Sequence, residues 1–250
     1  MTELLPGAEP WSATGGPAGL LCLHGFTGSP ASMRPVALAL AAAGFTVELP
    51  RLPGHGTTVD DMITTGWADW TAAAESAYQD LAARSERIVV AGLSMGGSLT
   101  LWLAARHPEI AGIVCINPAV VPAQPEVLDM VRGMLAEGED RLPGGDPDIA
   151  DPNAVGTSYA QTPLAPLLSL MEGLAGLHAD LGRITSPLLL MTSPNDHVVP
   201  PTDSDALAAA VSGPVERVTL ERSYHVATLD YDGELVAEHA VAFARKVTSA

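Results

Sequence analysis

The stretch that decides the fold is Ile88-Val89-Val90-Ala91-Gly92-Leu93-Ser94-Met95-Gly96-Gly97-Ser98-Leu99-Thr100. An apolar, β-branched run enters a Gly-x-Ser-x-Gly pentapeptide, and an apolar segment of helical composition leaves it. A strand that runs into a helix through so tight a turn holds the serine hydroxyl in open space, beside the N–H groups of the helix N-terminus. Such a turn leaves no room for side chains at the two flanking positions, and both Gly92 and Gly96 lack one. The pentapeptide alone arises by chance in roughly one chain of this size in ten. Its strand-turn-helix setting is what makes Ser94 the candidate nucleophile.

Outward from this elbow, strand-like and helix-like runs alternate. Before it come a strand over Gly19 to Leu23, a helix from Ser32 to Ala43 closed by Gly44, a strand from Phe45 to Leu49 and a helix from Trp67 to Arg84. The elbow strand is Arg87 to Ala91, its helix Met95 to Arg106, and Ile110 to Ile116 forms the next strand. After a break the alternation resumes with strands over Pro187 to Met191 and Val215 to Leu220 and helices over Thr202 to Val211 and Glu234 to Val247. This order predicts an α/β-hydrolase fold, a mostly parallel central sheet with helices on both faces.

The break lies between Pro118 and Leu181, where prolines and glycines cluster and no strand is convincing. Two amphipathic segments stand out there: Glu126 to Ala136, with Val127, Leu128, Val131, Met134 and Leu135 at helical spacing, and a run from Thr162-Pro163. The latter sets Leu164, Leu167, Leu168, Met171 and Leu174 along one face. About 60 residues are too many for an ordinary loop, so the expectation is a small helical lid over residues 118–181, splitting the core into residues 1–117 and 182–250. Leu128, Leu164, Leu167, Leu168 and Met171 are then candidate substrate-binding residues. The alternative, two helices that merely pack on the core, stays open.

The chain of 250 residues carries 29 acidic against 12 basic side chains, a net charge of −17. That field argues against nucleic acid and anionic membrane surfaces as partners. No apolar run reaches the length that spans a bilayer. The first ten residues hold two acids and no basic cluster, so no signal peptide is expected and the location read from sequence is cytoplasmic. Cys22 and Cys115 lie in strand-like runs and read as buried free thiols. No cluster has metal-ligand spacing, so neither metal nor cofactor is expected, and the expected partner is a small molecule met by a monomer or homodimer.

A serine hydroxyl needs a base to take its proton, and the base needs a carboxylate to orient it. Functional groups collect at the carboxyl ends of the strands, in the order serine, acid, histidine for this fold. Asp196 follows a strand in Ser193-Pro194-Asn195-Asp196-His197, and His225 follows another in Ser223-Tyr224-His225. The rival acids Asp203, Asp205 and Asp230 read as capping or solvated groups, and His107 as a helix-end residue. Two N–H donors should meet the oxyanion. They are expected from Met95, directly after the serine, and Phe26, in the loop His24-Gly25-Phe26-Thr27-Gly28. His24 reads as a loop organiser, and Arg51 to Gly56 as a turn beneath the site.

The motifs Leu23-His24-Gly25-Phe26-Thr27-Gly28-Ser29-Pro30, Leu52-Pro53-Gly54-His55-Gly56, Gly92-Leu93-Ser94-Met95-Gly96-Gly97, Asn195-Asp196-His197-Val198-Val199-Pro200-Pro201 and Ser223-Tyr224-His225-Val226-Ala227-Thr228 together resemble the bacterial monoacylglycerol lipases and related carboxylesterases. The resemblance runs over nearly the whole chain and is weakest in the lid. It implies Ser94, Asp196 and His225 as the triad, Phe26 and Met95 as the oxyanion hole, and hydrolysis of carboxylic monoesters, monoacylglycerols among them. Aromatic monoesters and thioesters are alternative substrates, cleavage of carbon–carbon bonds an alternative reaction, and a non-catalytic ligand receptor a reading of another class. A carboxylate-nucleophile chemistry, as in epoxide hydrolases, is disfavoured by the serine.

Overall fold

The computed structural model describes residues 3–249. Its central sheet takes strands β1 (Trp11–Ala13), β2 (Ala18–Leu23), β3 (Thr46–Leu49), β4 (Arg87–Leu93), β5 (Gly112–Ile116), β8 (Leu188–Thr192) and β9 (Val215–Thr219) in the order β1-β3-β2-β4-β5-β8-β9. Every neighbouring pair is parallel except β1 with β3, where Trp11 faces Leu49 across an antiparallel edge. The expected mostly parallel sheet with helices on both faces is therefore present.

Period-two alternation explains how one sheet feeds two cores. Leu21, Leu23, Val90, Ile113, Leu188 and Leu190 point to one face, where α3 (Trp67–Ala82), α4 (Met95–Ala104) and α7 (Thr202–Ala210) cover them. Leu20, Cys22, Val89, Val114, Leu189 and Met191 point to the other, under α1 (Arg34–Ala42) and α8 (Gly233–Thr248). Cys22 and Cys115 lie in these opposite cores, so they remain separate buried thiols. Burial pushes the Cys22 thiol up to about 12.

Between β5 and β8 lies the insertion: α5 (Pro125–Ala136), a short antiparallel pair β6 (Arg141–Pro143) and β7 (Gln161–Pro163), and α6 (Leu164–Asp180). The pair β6–β7 corrects the expectation that no strand occurs there. Three residues ending in proline carry no readable alternation, and their ladder exists only because the two segments meet. The short α2 (Val59–Ile63), capped by Thr58, and β1 were likewise not expected. The α6 helix buries Leu164, Leu170, Leu174 and Leu177, and Leu170, Leu174 and Leu177 join the core over α3 and α4. Much of it is thus core packing, tied to α3 by the Trp67 N–H donating to Ser169 Oγ at 3.0 Å. The α5 helix is mostly exposed and buries only Val131. No helix among the described residues is long and apolar enough to cross a membrane.

Candidate active site

Ser94 stands between β4 and α4 with φ 56° and ψ −120°, a backbone conformation that a non-glycine residue holds only under restraint. The restraint is local. A Cβ on Gly92 would lie 2.1 Å from the Gly96 carbonyl oxygen, and one on Gly96 would lie 2.1 Å from that of Leu23. The Ser94 N–H donates to Ile116 O at 2.9 Å, and its carbonyl accepts the Ser98 N–H at 3.1 Å. Met95, fully buried, opens α4, so its N–H has no carbonyl one turn earlier to bond within the helix.

The loop after β2 lies against this serine: a Cβ on Gly25 would come 3.4 Å from Ser94 Cβ. Thr27 takes φ 58°, unusual for a β-branched residue, and bends the chain just after Phe26. The Phe26 ring meets Trp70 and His55 edge-on at 5.8 and 6.4 Å. Beneath it His24, fully buried, donates through Nδ1 to Gly25 O at 3.0 Å and accepts the Leu52 N–H at Nε2 at 3.1 Å. Burial, aided by Arg51 and opposed by the Gly25 bond, lowers its pKa to about 4. His24 and the turn at Arg51 to Gly56 therefore support the loop from below.

Asp196 and His225 meet at 2.7 Å, Oδ2 to Nδ1, with side-chain exposures of 2% and 8%. A carboxylate only accepts, so His225 Nδ1 carries the proton and Nε2 is left with its lone pair. The second oxygen, Oδ1, accepts the Val198 and Val199 N–H groups at 2.8 Å each. Ser94 and His225 line the same cavity of about 380 Å³, which also takes in Phe26. This is at the small end for a ligand site. Its charged lining, among the described residues, is acidic: Asp146 and Asp148, with no lysine or arginine.

The roof corrects the expected pocket. Of the five candidate lid residues only Leu167 lines the cavity; Leu128, Leu164, Leu168 and Met171 do not. Leu164 is buried in the fold instead. The insertion covers the site with loop residues 144–148 and 156–159, whose prolines and glycines carry no helical signal.

Two polar residues of this region, Asn117 and Asp148, stand out only in the structure. Asn117, with φ 44°, follows β5 and donates through Nδ2 to His225 O at 2.8 Å while its Oδ1 accepts the Ser193 N–H at 2.8 Å. Asp203 and Asp230 are buried backbone acceptors, not solvated or capping groups. Asp203 takes the Val120 and Val121 N–H groups at the root of the insertion. Asp230 takes those of Ala150, Asp151, Tyr224 and Tyr231. Asp205 pairs with Arg217 at 2.7 Å on the surface, and the His107 ring with Glu75 at 2.9 Å. Asp148, on the roof, accepts from both His197 and His225. Burial works against its ionised form, but these hydrogen bonds outweigh it and hold its carboxyl below the usual value.

The sequence profile of the Alpha/beta hydrolase family matches residues 20–239. The chain is 47% identical to the thermostable monoacylglycerol lipase of Bacillus sp. (strain H-257) over 97% of this chain and 96% of that one. It is 28% identical to a carboxylesterase of Bacillus subtilis (strain 168), over 96% and 97% respectively. A solved structure from work on the metagenome-derived lipolytic enzymes LipS and LipT superposes with a TM-score of 0.92 at 41% identity, covering 98% of this chain and all of that one (100%).

Proposed function

The chain belongs to the α/β hydrolase family, and from that premise we propose that it is a serine hydrolase of carboxylic monoesters. The observation that carries this reading is Ser94, strained on its elbow, facing one small cavity with a His225 whose Nδ1 proton is held by the buried Asp196. Likeness to a monoacylglycerol lipase and a carboxylesterase supports the substrate class.

In this mechanism Ser94 Oγ attacks the ester carbonyl carbon while its proton passes to His225 Nε2. The carbonyl π electrons move to oxygen, and the N–H groups of Met95 and Phe26 receive the resulting oxyanion. Asp196 stabilises the imidazolium and keeps the neutral ring in the tautomer that presents a basic Nε2. The tetrahedral intermediate collapses, the ester C–O bond breaks, and the alcohol leaves with the proton from His225. Water then repeats the sequence on the acyl-serine and releases the acid. The insertion acts as a roof that limits substrate size, and its acidic lining favours neutral alcohols over anionic ones.

The test is turnover of p-nitrophenyl acyl esters by wild type, Ser94→Ala, His225→Ala and the double variant. Each single change should lower kcat by about 10³-fold or more, and the double change should cost little further, because the two residues act on one step. An organophosphonate should label Ser94 and no other residue. Full turnover by Ser94→Ala would move the chemistry to another residue, and absence of turnover by the wild type would move the reading to ligand binding on a hydrolase scaffold.

A further inference from the structure

Asp148 belongs to the insertion, far in sequence from the candidate acid and base, yet it joins their loops. Its Oδ2 accepts the His197 N–H and the His225 N–H, each at 3.1 Å. Its Oδ1 accepts the His197 ring Nδ1–H at 2.8 Å, and its main-chain carbonyl accepts the Val226 N–H at 3.0 Å. The residue directly after Asp196 and the two residues at and after the base therefore hang on one lid residue. Asp230 completes the arrangement by taking the N–H of Tyr224 and, from the insertion, those of Ala150 and Asp151. Three consecutive N–H groups around His225 are thus committed to two carboxylate-bearing residues.

Resting on the reading of Asp196 and His225 as acid and base, we propose that Asp148 is a positioning residue that sets the Asp196–His225 hydrogen bond from the lid. It touches neither the serine nor the carbonyl being attacked. It acts by fixing the backbone on which each partner stands, so that the imidazole cannot swing away from Asp196 when the substrate fills the cavity. The insertion is then part of the catalytic framework as well as a size filter, and its edge at residues 148–151 stays shut during turnover. Substrate enters elsewhere along the roof.

The geometry needs an oxygen acceptor at this place more than a charge. Asp148→Asn retains one carbonyl oxygen for the two N–H groups, whereas Asp148→Ala removes the acceptor and Asp148→Ser draws its oxygen back by one bond. A displacement near 1 Å at a reacting group costs on the order of 100-fold in rate. The expected result on a p-nitrophenyl ester is a fall in kcat of about 10- to 100-fold for Asp148→Ala and Asp148→Ser, with KM within about threefold, and recovery to within about fivefold of wild type in Asp148→Asn. The low-field proton resonance of His225 Nδ1–H should be sharp in wild type and Asp148→Asn and broadened or lost in Asp148→Ala. A kcat within twofold of wild type in folded Asp148→Ala, or an equal loss in Asp148→Asn, overturns the proposal. Wild-type hydrogen exchange decides the matter even if the variants fail to fold: slowed exchange at the His197, His225 and Val226 amides supports it, and free-loop rates there refute it. Full activity of Ser94→Ala alongside a loss in Asp148→Ala would instead sink the underlying triad reading.

Discussion

Lowering the pH should unseat the loop that carries Phe26 through a single buried imidazole, His24. Its Nε2 accepts the Leu52 N–H at 3.1 Å, which requires that nitrogen to be unprotonated. Protonation would set two donors against each other and put a charge into a site with no exposure and with Arg51 nearby. Burial accordingly lowers its pKa from 6.5 to about 4. The unfolded chain binds this proton near 6.5 while the folded chain refuses it down to about 4, so the contribution to stability is whole above 6.5 and is lost as the pH falls through 4. At about 1.4 kcal/mol per pH unit, the gap amounts to about 3 kcal/mol. His55, also buried and pushed well below its usual value by burial first and His24 second, adds in the same direction. Urea unfolding of wild type and His24→Asn at pH 7, 6, 5 and 4 measures the effect. The wild-type stability should drop by about 3 kcal/mol more over this range than that of the variant. The His24 ring proton resonance should stay unchanged from pH 8 to 5. Titration of that resonance near 6.5, or parallel pH profiles in the two proteins, would refute the reasoning.

Asp196→Asn should keep the fold but favour the wrong imidazole tautomer, lowering kcat by roughly 10³–10⁴-fold in the p-nitrophenyl ester assay; near wild-type activity would move the orienting role to another carboxylate. Gly96→Ala drives a Cβ to 2.1 Å from Leu23 O, a backbone atom, and should lower unfolding stability by about 3 kcal/mol or prevent folding; an unchanged melting temperature would mean that the elbow can shift. The small roofed cavity should restrict the enzyme to monoesters, with kcat/KM at least about 100-fold lower, near 3 kcal/mol, for a triacylglycerol than for a monoacylglycerol of equal chain length, both below their aggregation limits. Equal rates on the two would show an open site.

The residues themselves determine much of this protein. Alternation within Leu20 to Leu23 and Leu188 to Met191 dictates strands buried on both faces, and the steric demand of Gly92 and Gly96 dictates the elbow. The candidate acid and base were legible because each directly follows a strand, and a parallel sheet brings the ends of its strands together. Other features rest on contacts between segments far apart in the chain, which local pattern does not encode. Strands β1, β6 and β7 are three residues each and exist through their partners. The roof is loop instead of helix because α6 spends its leucines on the core over α3 and α4. Asp148, Asp203 and Asp230 look like any surface carboxylates in a chain with 29 acidic residues. Only the tertiary structure makes them acceptors, because a carboxylate takes its role from whichever backbone N–H groups the fold leaves unpaired beside it.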